Sequence, residues 1–226
     1  MKFFRDFYGD YVEDPIRHVR FMKSIRSMLP EEDLFEIFGN GFVAMHERAA
    51  ERAGKPRWAD KAPENVVFLD RWQQLLGDDW LFVHVVRNPL DTLASIAEMG
   101  FPVSVPPDLG SRIELYLRYT SAGIEFGEAN PERYVRVLYE DLVEAPEATV
   151  RAMMEGLGED LAREQLTFGD VKHQKGLEDP KVTRTTEVHD RSVGRWQSDL
   201  ASRDAELIAD RALPIWRRAG GGAVPS

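Results

Sequence analysis

The residues with the clearest chemical potential are an arginine and a serine that follow a short apolar segment. Arg87 comes directly after the run 80–86, and Ser95 comes eight residues later. Asp91 and Ser95 are four residues apart, so they share one face of a helix. A guanidinium fork and a hydroxyl that point to one place can hold an anion together. The structural alternative is that Arg87 pairs with an acid and Ser95 is merely exposed.

The segment before Arg87 has the composition of a buried strand. Residues 80–86 form a nearly unbroken apolar run that is rich in β-branched and aromatic side chains and too short for a typical helix. Asn88 and Pro89 then predict a helix cap and a first helical residue. Apolar residues at helical spacing predict the buried stripe of this helix: Leu90, Leu93, Ala94 and Ala97. Ligands of open α/β sheets bind at the carboxyl ends of strands, which is where Arg87 lies.

The rest of the chain alternates predicted helices with a second strand, Tyr134–Tyr139. Residues 172–191 are polar, show no clear period and predict a long loop. This alternation predicts an α/β fold with a parallel sheet flanked by helices. We expect one domain over residues 1–219 and a disordered tail over residues 220–226. The predicted helices cover residues 14–29, 30–38 with a break at Gly39-Asn40-Gly41, 42–53, 63–76, 111–127, a segment that starts at Pro146, and 199–217.

The composition argues against several classes of site and partner. A net charge of −10 and a pI of about 5.1 disfavour nucleic-acid binding, although a local cluster of arginines can still bind a small anion. The absence of cysteine excludes disulfides, thiolate catalysis and Cys-ligated metals. The five histidines are scattered, so we expect no metal. No run approaches the roughly 20 apolar residues of a membrane span, and no signal peptide is visible. We therefore expect a cytoplasmic protein with no membrane partner.

Four segments of the sequence resemble motifs of the sulfotransferases that use 3′-phosphoadenosine-5′-phosphosulfate. Val85–Ser95 is similar to the family segment in which an Arg and a Ser eight residues apart bind the 3′-phosphate of the nucleotide. Trp58–Asn65 resembles the family's acidic–Lys–x–Pro segment, and Val137–Leu142 its Tyr-Glu-Asp-Leu element. Arg191–Trp196 resembles the carboxy-terminal loop that folds over the 3′-phosphate. Four elements in the family order are more specific than any single one.

The resemblance implies a P-loop nucleotide-hydrolase-like fold and a role for each matching residue. Its nucleotide-binding residues would be Arg87, Ser95, Arg191, Ser192, Gly194 and Arg195, with Gly194 letting the backbone approach the anion closely. Lys61 would be the catalytic lysine, because its ammonium can stabilise the negative charge that develops on the bridging oxygen. The competing interpretation of Lys61 is a surface salt bridge with Asp60 or Glu64. The acceptor would be a hydroxyl or amine of a small molecule, and the oligomeric state is left open.

The sequence departs from the family pattern near its amino-terminal end. The family's first strand and phosphate loop wrap the 5′-phosphosulfate with backbone donors, and none of Gly9, Gly39 or Gly41 has that context. We expect that strand to be missing, with unpaired edges and exposed apolar surface as the consequence. Either the sequence starts too late, which we favour, or a partner chain supplies the loop, or transferase activity has been lost.

Two other functions follow from the same pattern. The first is a non-catalytic nucleotide- or ligand-binding module on a degenerate sulfotransferase scaffold. The second is a relative of the P-loop kinases, which we disfavour because the sequence contains no G-x-x-x-x-G-K-[ST] motif.

Overall fold

The computed structural model describes Ser24 and residues 27–99, 105–167 and 188–223. The chain divides into two compact units, Met1–Trp80 and Leu81–Ser226. Most of the helix predicted at residues 14–29 lies outside the described residues, as do residues 172–187 of the predicted loop and residues 224–226 of the predicted tail. Within the described ranges, no helix is both long enough and apolar enough to cross a bilayer.

Over residues 31–76, the amino-terminal unit contains one long helix and a shorter helical pair. Helix α1 spans Glu31–Arg52, a 3₁₀ helix spans Pro63–Phe68, and helix α2 spans Leu69–Leu76. The start predicted at Pro63 is therefore confirmed, although the first six residues are 3₁₀ rather than α-helical. Gly77 ends α2 with a φ of 60°, a left-handed conformation that glycine adopts without steric cost.

The break predicted at Gly39-Asn40-Gly41 is wrong, because α1 continues through it. Gly39 is buried, and a Cβ atom there would lie 2.6 Å from Leu75 Cδ1. Glycine is needed at this position because α2 packs closely against α1, and no turn is involved. The Phe42 ring completes this packing, with its centroid 5.5 Å from that of Trp72.

The carboxy-terminal unit contains a parallel sheet flanked by helices, as predicted. Strand β1 spans Phe82–Val86 and strand β2 spans Tyr134–Leu138. They pair in parallel, with Phe82 opposite Tyr134 and Val86 opposite Leu138. The connection between them runs through helices α3 (Pro89–Met99) and α4 (Leu109–Ala129). Because the two strands are parallel and end together, the residues that follow them lie side by side at one sheet edge.

Further helices follow β2 in this unit, close to the segments predicted from Pro146 and at 199–217. They are α5 (Tyr139–Glu144), α6 (Pro146–Gly156), α7 (Trp196–Asp199) and α8 (Ser202–Arg218). Short 3₁₀ helices cover Pro131–Arg133 and Arg163–Gln165.

Among the described residues of the carboxy-terminal unit, two apolar clusters form its core. The first joins α3, α4 and α8 through Leu90, Leu93, Ile113, Tyr116, Ala205, Ile208 and Ala212. The second lies under the end of β1 and contains Val86, Ile124, Leu213, Trp216 and Ala219. The burial of most of the predicted α3 stripe anchors that helix, and with it the residues that follow β1.

Ala97 and Val85 are more exposed than the sequence predicted. Ala97 was expected in the buried stripe of α3 but is exposed, whereas Asp91 on the same helix is fully buried. On β1, Val85 is 55 % exposed. The expectation that a first strand is missing from the sheet stays a prediction.

Candidate functional site

The parallel register of the two strands brings Arg87 beside Tyr139 and Asn88 beside Glu140. The Arg87 guanidinium carbon lies 4.5 Å from the centroid of the Tyr139 ring, within the range of a cation–π contact. The Asn88 N–H donates to Glu140 Oε1 at 2.9 Å, and the Tyr116 hydroxyl donates to the Arg87 carbonyl at 2.8 Å. Both the main chain and the side chain of Arg87 are therefore held in place at the strand end.

Two buried donors at this edge have no hydrogen-bond partner within the described residues. They are Arg87 Nε and Asn88 Nδ2, and Asn88 is only 1 % exposed. Leaving a buried donor unpaired costs about 1–3 kcal/mol, so such donors commonly face a ligand or water. A positively charged donor at the carboxyl end of a parallel strand fits an anionic group such as a phosphate.

Glu140 is the carboxyl group nearest in sequence to the Arg87–Tyr139 contact. Burial raises the pKa of Glu140, while the Asn88 N–H and the positive charge of Arg87 act in the opposite direction. Its second oxygen, Oε2, is buried without a hydrogen-bond partner in the described part of the chain. Burial and the two favourable contacts therefore act on the pKa of Glu140 in opposite directions, and burial has the larger effect.

The start of α3 is stabilised by the cap that the sequence predicted. Asn88 Oδ1 accepts a hydrogen bond from the Leu90 N–H at 2.9 Å, and the Thr92 hydroxyl donates to the Asn88 carbonyl at 2.8 Å. Asp91 is the third residue of the helix, where the helix dipole favours a negative charge.

The predicted loop Arg191–Trp196 lies against this strand end. The Arg87 guanidinium donates to the Ser192 carbonyl. The Gly194 N–H donates to Asp91 Oδ2 at 2.9 Å, and the Trp196 N–H donates to Asp91 Oδ1 at 3.1 Å. The structure thus brings Arg87, Ser192 and Gly194 together, although more than a hundred residues separate the two segments in sequence.

Gly194 has a left-handed backbone conformation, with a φ of 75°. A Cβ atom at this position would meet nothing within 4 Å, so the glycine is required by the backbone conformation rather than by crowding. The Gly194 N–H donates a hydrogen bond to Asp91, so this backbone donor, which we expected to face the anion, already has a partner within the protein.

The other predicted binding residues differ in how far their donors are already engaged. Arg195 forms ion pairs with Glu98 at 2.7 Å and Asp199 at 2.5 Å. Partial burial lowers the pKa of Arg195, but the hydrogen bonds to Asp199 and Glu98 outweigh it and raise the pKa overall. Within the described residues, the half-buried Ser95 and the exposed Arg191 form no side-chain hydrogen bond or ion pair. Their donors are therefore the freer ones.

Lys61 belongs to the amino-terminal unit, in the segment between α1 and the 3₁₀ helix Pro63–Phe68. Its side chain is exposed and forms no ion pair or hydrogen bond with any residue that the structure describes. Asp60, its neighbour in sequence, instead accepts a hydrogen bond from Asn65 Nδ2 at 2.7 Å. The surface salt bridge that competed with a catalytic role for Lys61 is absent from the described contacts.

Sequence reasoning missed the most central residue of this arrangement. Asp91 served only to mark a helix face, yet it is buried and holds two backbone N–H groups of the loop. The available signal was its position as the third residue of a predicted helix. The Tyr139 ring beneath Arg87 was also not predicted, because it depends on the register of the two strands.

No group of three or more histidine, aspartate or glutamate side chains suitable for a metal ion occurs among the described residues. The nucleotide-binding residues that the sequence predicted are arginines, a glycine and serines, whose chemistry suits an anion rather than a cation.

Comparisons with known proteins identify the family. Among solved structures, the chain is similar to the sulfotransferase domain from the Synechococcus PCC 7002 olefin synthase, with 19 % identity, a TM-score of 0.56, and coverage of 70 % of this chain and 54 % of that one. It is also similar to the sulfotransferase domain from the curacin biosynthetic pathway, with 16 % identity, a TM-score of 0.59, and coverage of 91 % and 75 %. At these identities the likeness concerns the fold alone.

The chain spans about half the length of the first of these structures. The comparison with curated proteins found no significant match. A family model described as "Sulfotransferase family" matches residues 5–163, a range that includes Lys61, Arg87 and Ser95 and ends before the loop Arg191–Trp196. Because this match covers more than half of the sequence, the chain belongs to the sulfotransferase family.

Proposed function

We propose that this protein transfers a sulfuryl group from 3′-phosphoadenosine-5′-phosphosulfate to a hydroxyl or amine of a small molecule. The observation that carries the proposal is the held Arg87 side chain at the end of β1, with a buried Nε that has no described partner. Family membership and the fold support the same reaction class.

In this proposal, Arg87 and Ser95 bind the 3′-phosphate of the nucleotide. The guanidinium supplies charge and directional donors, and the Ser95 hydroxyl adds a further donor from the next helical turns. The loop Arg191–Trp196 closes the site, with Ser192 bonded to Arg87 through its carbonyl. Arg191 contributes positive charge at the surface, whereas Arg195 would have to exchange its carboxylate partners to bind the ligand directly.

The transfer breaks the bond between sulfur and the bridging phosphate oxygen and forms a bond between sulfur and the acceptor oxygen or nitrogen. The acceptor loses a proton, and nothing in the sequence selects the base that takes it. We assign Lys61 to the bridging oxygen, where its ammonium stabilises the negative charge of the leaving group. The reaction needs no metal, so chelators should leave nucleotide binding unchanged. A cytoplasmic location is part of the proposal.

The alternative is a non-catalytic module that binds the nucleotide or a related ligand. The observation that favours it is the contrast between the held Arg87 and the exposed Lys61, which no described residue orients. A protein that had lost transfer but kept binding would need the first residue and not the second.

Calorimetry tests the binding half of the proposal. Adenosine 3′,5′-bisphosphate should bind at least ~10-fold more tightly than adenosine 5′-monophosphate, because only the former carries the group that Arg87 and Ser95 are assigned to bind. Equal binding by the folded protein would remove the 3′-phosphate assignment. Transfer of radiolabelled sulfate across an acceptor panel then separates the enzyme from the binding module.

A further inference from the structure

Asp91 is the fully buried carboxylate of the candidate site, and the proposed reaction gives it no role. It has no exposed surface, yet it belongs to the first turn of α3, next to the strand end. An ionised carboxylate in such a place is costly unless hydrogen bonds compensate for the lost water. Both oxygens have such a bond, one from the Gly194 N–H and one from the Trp196 N–H.

These two bonds tie down a loop that also contacts Arg87. The Arg87 guanidinium donates to the Ser192 carbonyl, two residues before Gly194. Gly194 reaches Asp91 through its left-handed backbone, and the Trp196 side chain packs against the apolar cluster of α3, α4 and α8. Arg87 and Asp91 therefore bind the same loop at neighbouring points.

We propose that Asp91 is a positioning residue, which holds the loop Arg191–Trp196 against Arg87 and so sets the geometry of the 3′-phosphate site. This inference rests on the proposed function. When Asp91 is intact, the loop is ordered before the ligand arrives. Without Asp91, the ligand must also order the loop, and the entropic cost of this ordering weakens binding.

The chemistry of the side chain predicts a graded series of variants. A carboxylate accepts two N–H bonds, whereas the amide of Asp91→Asn keeps one acceptor and turns an NH₂ group toward the other donor. Asp91→Ala removes both acceptors. Asp108→Asn is a matched control, because Asp108 is also a carboxylate at a helix start but accepts its hydrogen bond from the exposed Ser111 N–H of its own helix, α4.

Hydrogen exchange measured without nucleotide tests the contact itself. Peptides that cover residues 190–200 should exchange faster in Asp91→Asn and faster still in Asp91→Ala, while Asp108→Asn behaves like the wild type. Circular dichroism and thermal unfolding show whether each variant is folded. If Asp91→Ala does not fold, the comparison is made with Asp91→Asn. Unchanged loop exchange in a folded variant would overturn the role of Asp91.

The nucleotide preference tests what the contact is for. We expect Asp91→Ala to weaken adenosine 3′,5′-bisphosphate by about 10- to 100-fold and to change adenosine 5′-monophosphate much less. A merely structural defect would lower the fraction of active protein without changing the ratio of the two dissociation constants. A preserved ratio in a variant with a loosened loop would overturn the proposal. A wild-type protein with no preference would overturn the proposed function instead, so the two failures are distinguishable.

Discussion

The strand end at Arg87 and the segment around Lys61 differ in how firmly the structure holds them. The Arg87 guanidinium contacts the Tyr139 ring and donates to the Ser192 carbonyl, and the Arg87 carbonyl accepts a hydrogen bond from the Tyr116 hydroxyl. Lys61 is exposed and has no contact of these kinds within the described chain. Both were predicted from similar evidence, a short motif that resembles one family.

Under the proposed function, this difference predicts that substitutions can separate nucleotide binding from sulfuryl transfer. A group held by several hydrogen bonds is already oriented before its ligand arrives, which lowers the entropic cost of binding. An exposed ammonium that no described residue holds adds less to ground-state affinity, but it can still stabilise charge that develops in the transition state. Substitutions in the two regions should therefore change different quantities.

Substitution of Lys61 should have the largest effect, and it should fall on transfer alone. We expect Lys61→Ala to lower kcat by about 10²- to 10³-fold, the usual cost of losing one donor to a developing oxyanion. The free energy of unfolding should change by less than about 0.5 kcal/mol, because the side chain is exposed. Lys55→Ala, another exposed lysine of the same unit, is the control. Unimpaired transfer by Lys61→Ala would contradict the role assigned to Lys61.

Substitution of Arg87 should act on binding. Arg87→Ala should weaken adenosine 3′,5′-bisphosphate by about 100-fold, or roughly 3 kcal/mol, because a charged hydrogen-bonding group is lost. Arg87→Lys should recover only part of this, since an ammonium lacks the planar fork. Arg218→Ala, at an exposed pair with Glu128, controls for the general loss of one positive charge. Calorimetry that finds Arg87→Ala unimpaired would contradict the assignment.

The sheet behind the strand end should lose stability in acid through His84. Burial lowers the pKa of His84 to about 4, and the charge of Arg136 adds to the effect. The ordinary histidine pKa is about 6.5, so the unfolded chain binds the extra proton first as the pH falls. The contribution of neutral His84 to the free energy of unfolding is thus fully present above about pH 6.5 and is lost toward pH 4. At pH 5, about 2 kcal/mol of it has been lost.

Urea unfolding at pH 7.5 and pH 5.0 measures this effect. His84→Gln should remove this part of the pH dependence, although it also loses the 2.8 Å contact with the Tyr134 hydroxyl. Phe82→Leu, on the same strand face, should destabilise the protein and keep the pH dependence. An identical pH dependence in wild type and His84→Gln would show that carboxylates alone account for the acid effect.

The smallest predicted effect distinguishes two glycines of α1, the helix that precedes the Lys61 segment. Gly39→Ala should destabilise by about 1–2 kcal/mol, because the new methyl group would lie 2.6 Å from Leu75 Cδ1. Gly41→Ala should stabilise by up to about 1 kcal/mol, because its Cβ would meet nothing within 4 Å and alanine favours the helix. Opposite signs in thermal unfolding would confirm that only Gly39 is required for packing.

The sequence by itself predicted much of what depends on neighbouring residues. The strand before Arg87, the Asn88 cap, the start at Pro63 and the end of α2 at Gly77 all follow from local propensity and backbone geometry. The motif order predicted the family, which the family match then showed. Such features need only a few consecutive residues, so a linear pattern contains them.

The contacts between residues far apart in the chain are visible only in the tertiary structure. The continuity of α1 through Gly39 depends on the approach of Leu75 from another helix. The Tyr139 ring meets Arg87 because β1 and β2 pair in one particular register, which a nearly unbroken apolar run does not specify. Asp91 binds a loop more than a hundred residues away. The sequence contains both partners of each contact, but the packing of the folded chain selects which of them meet.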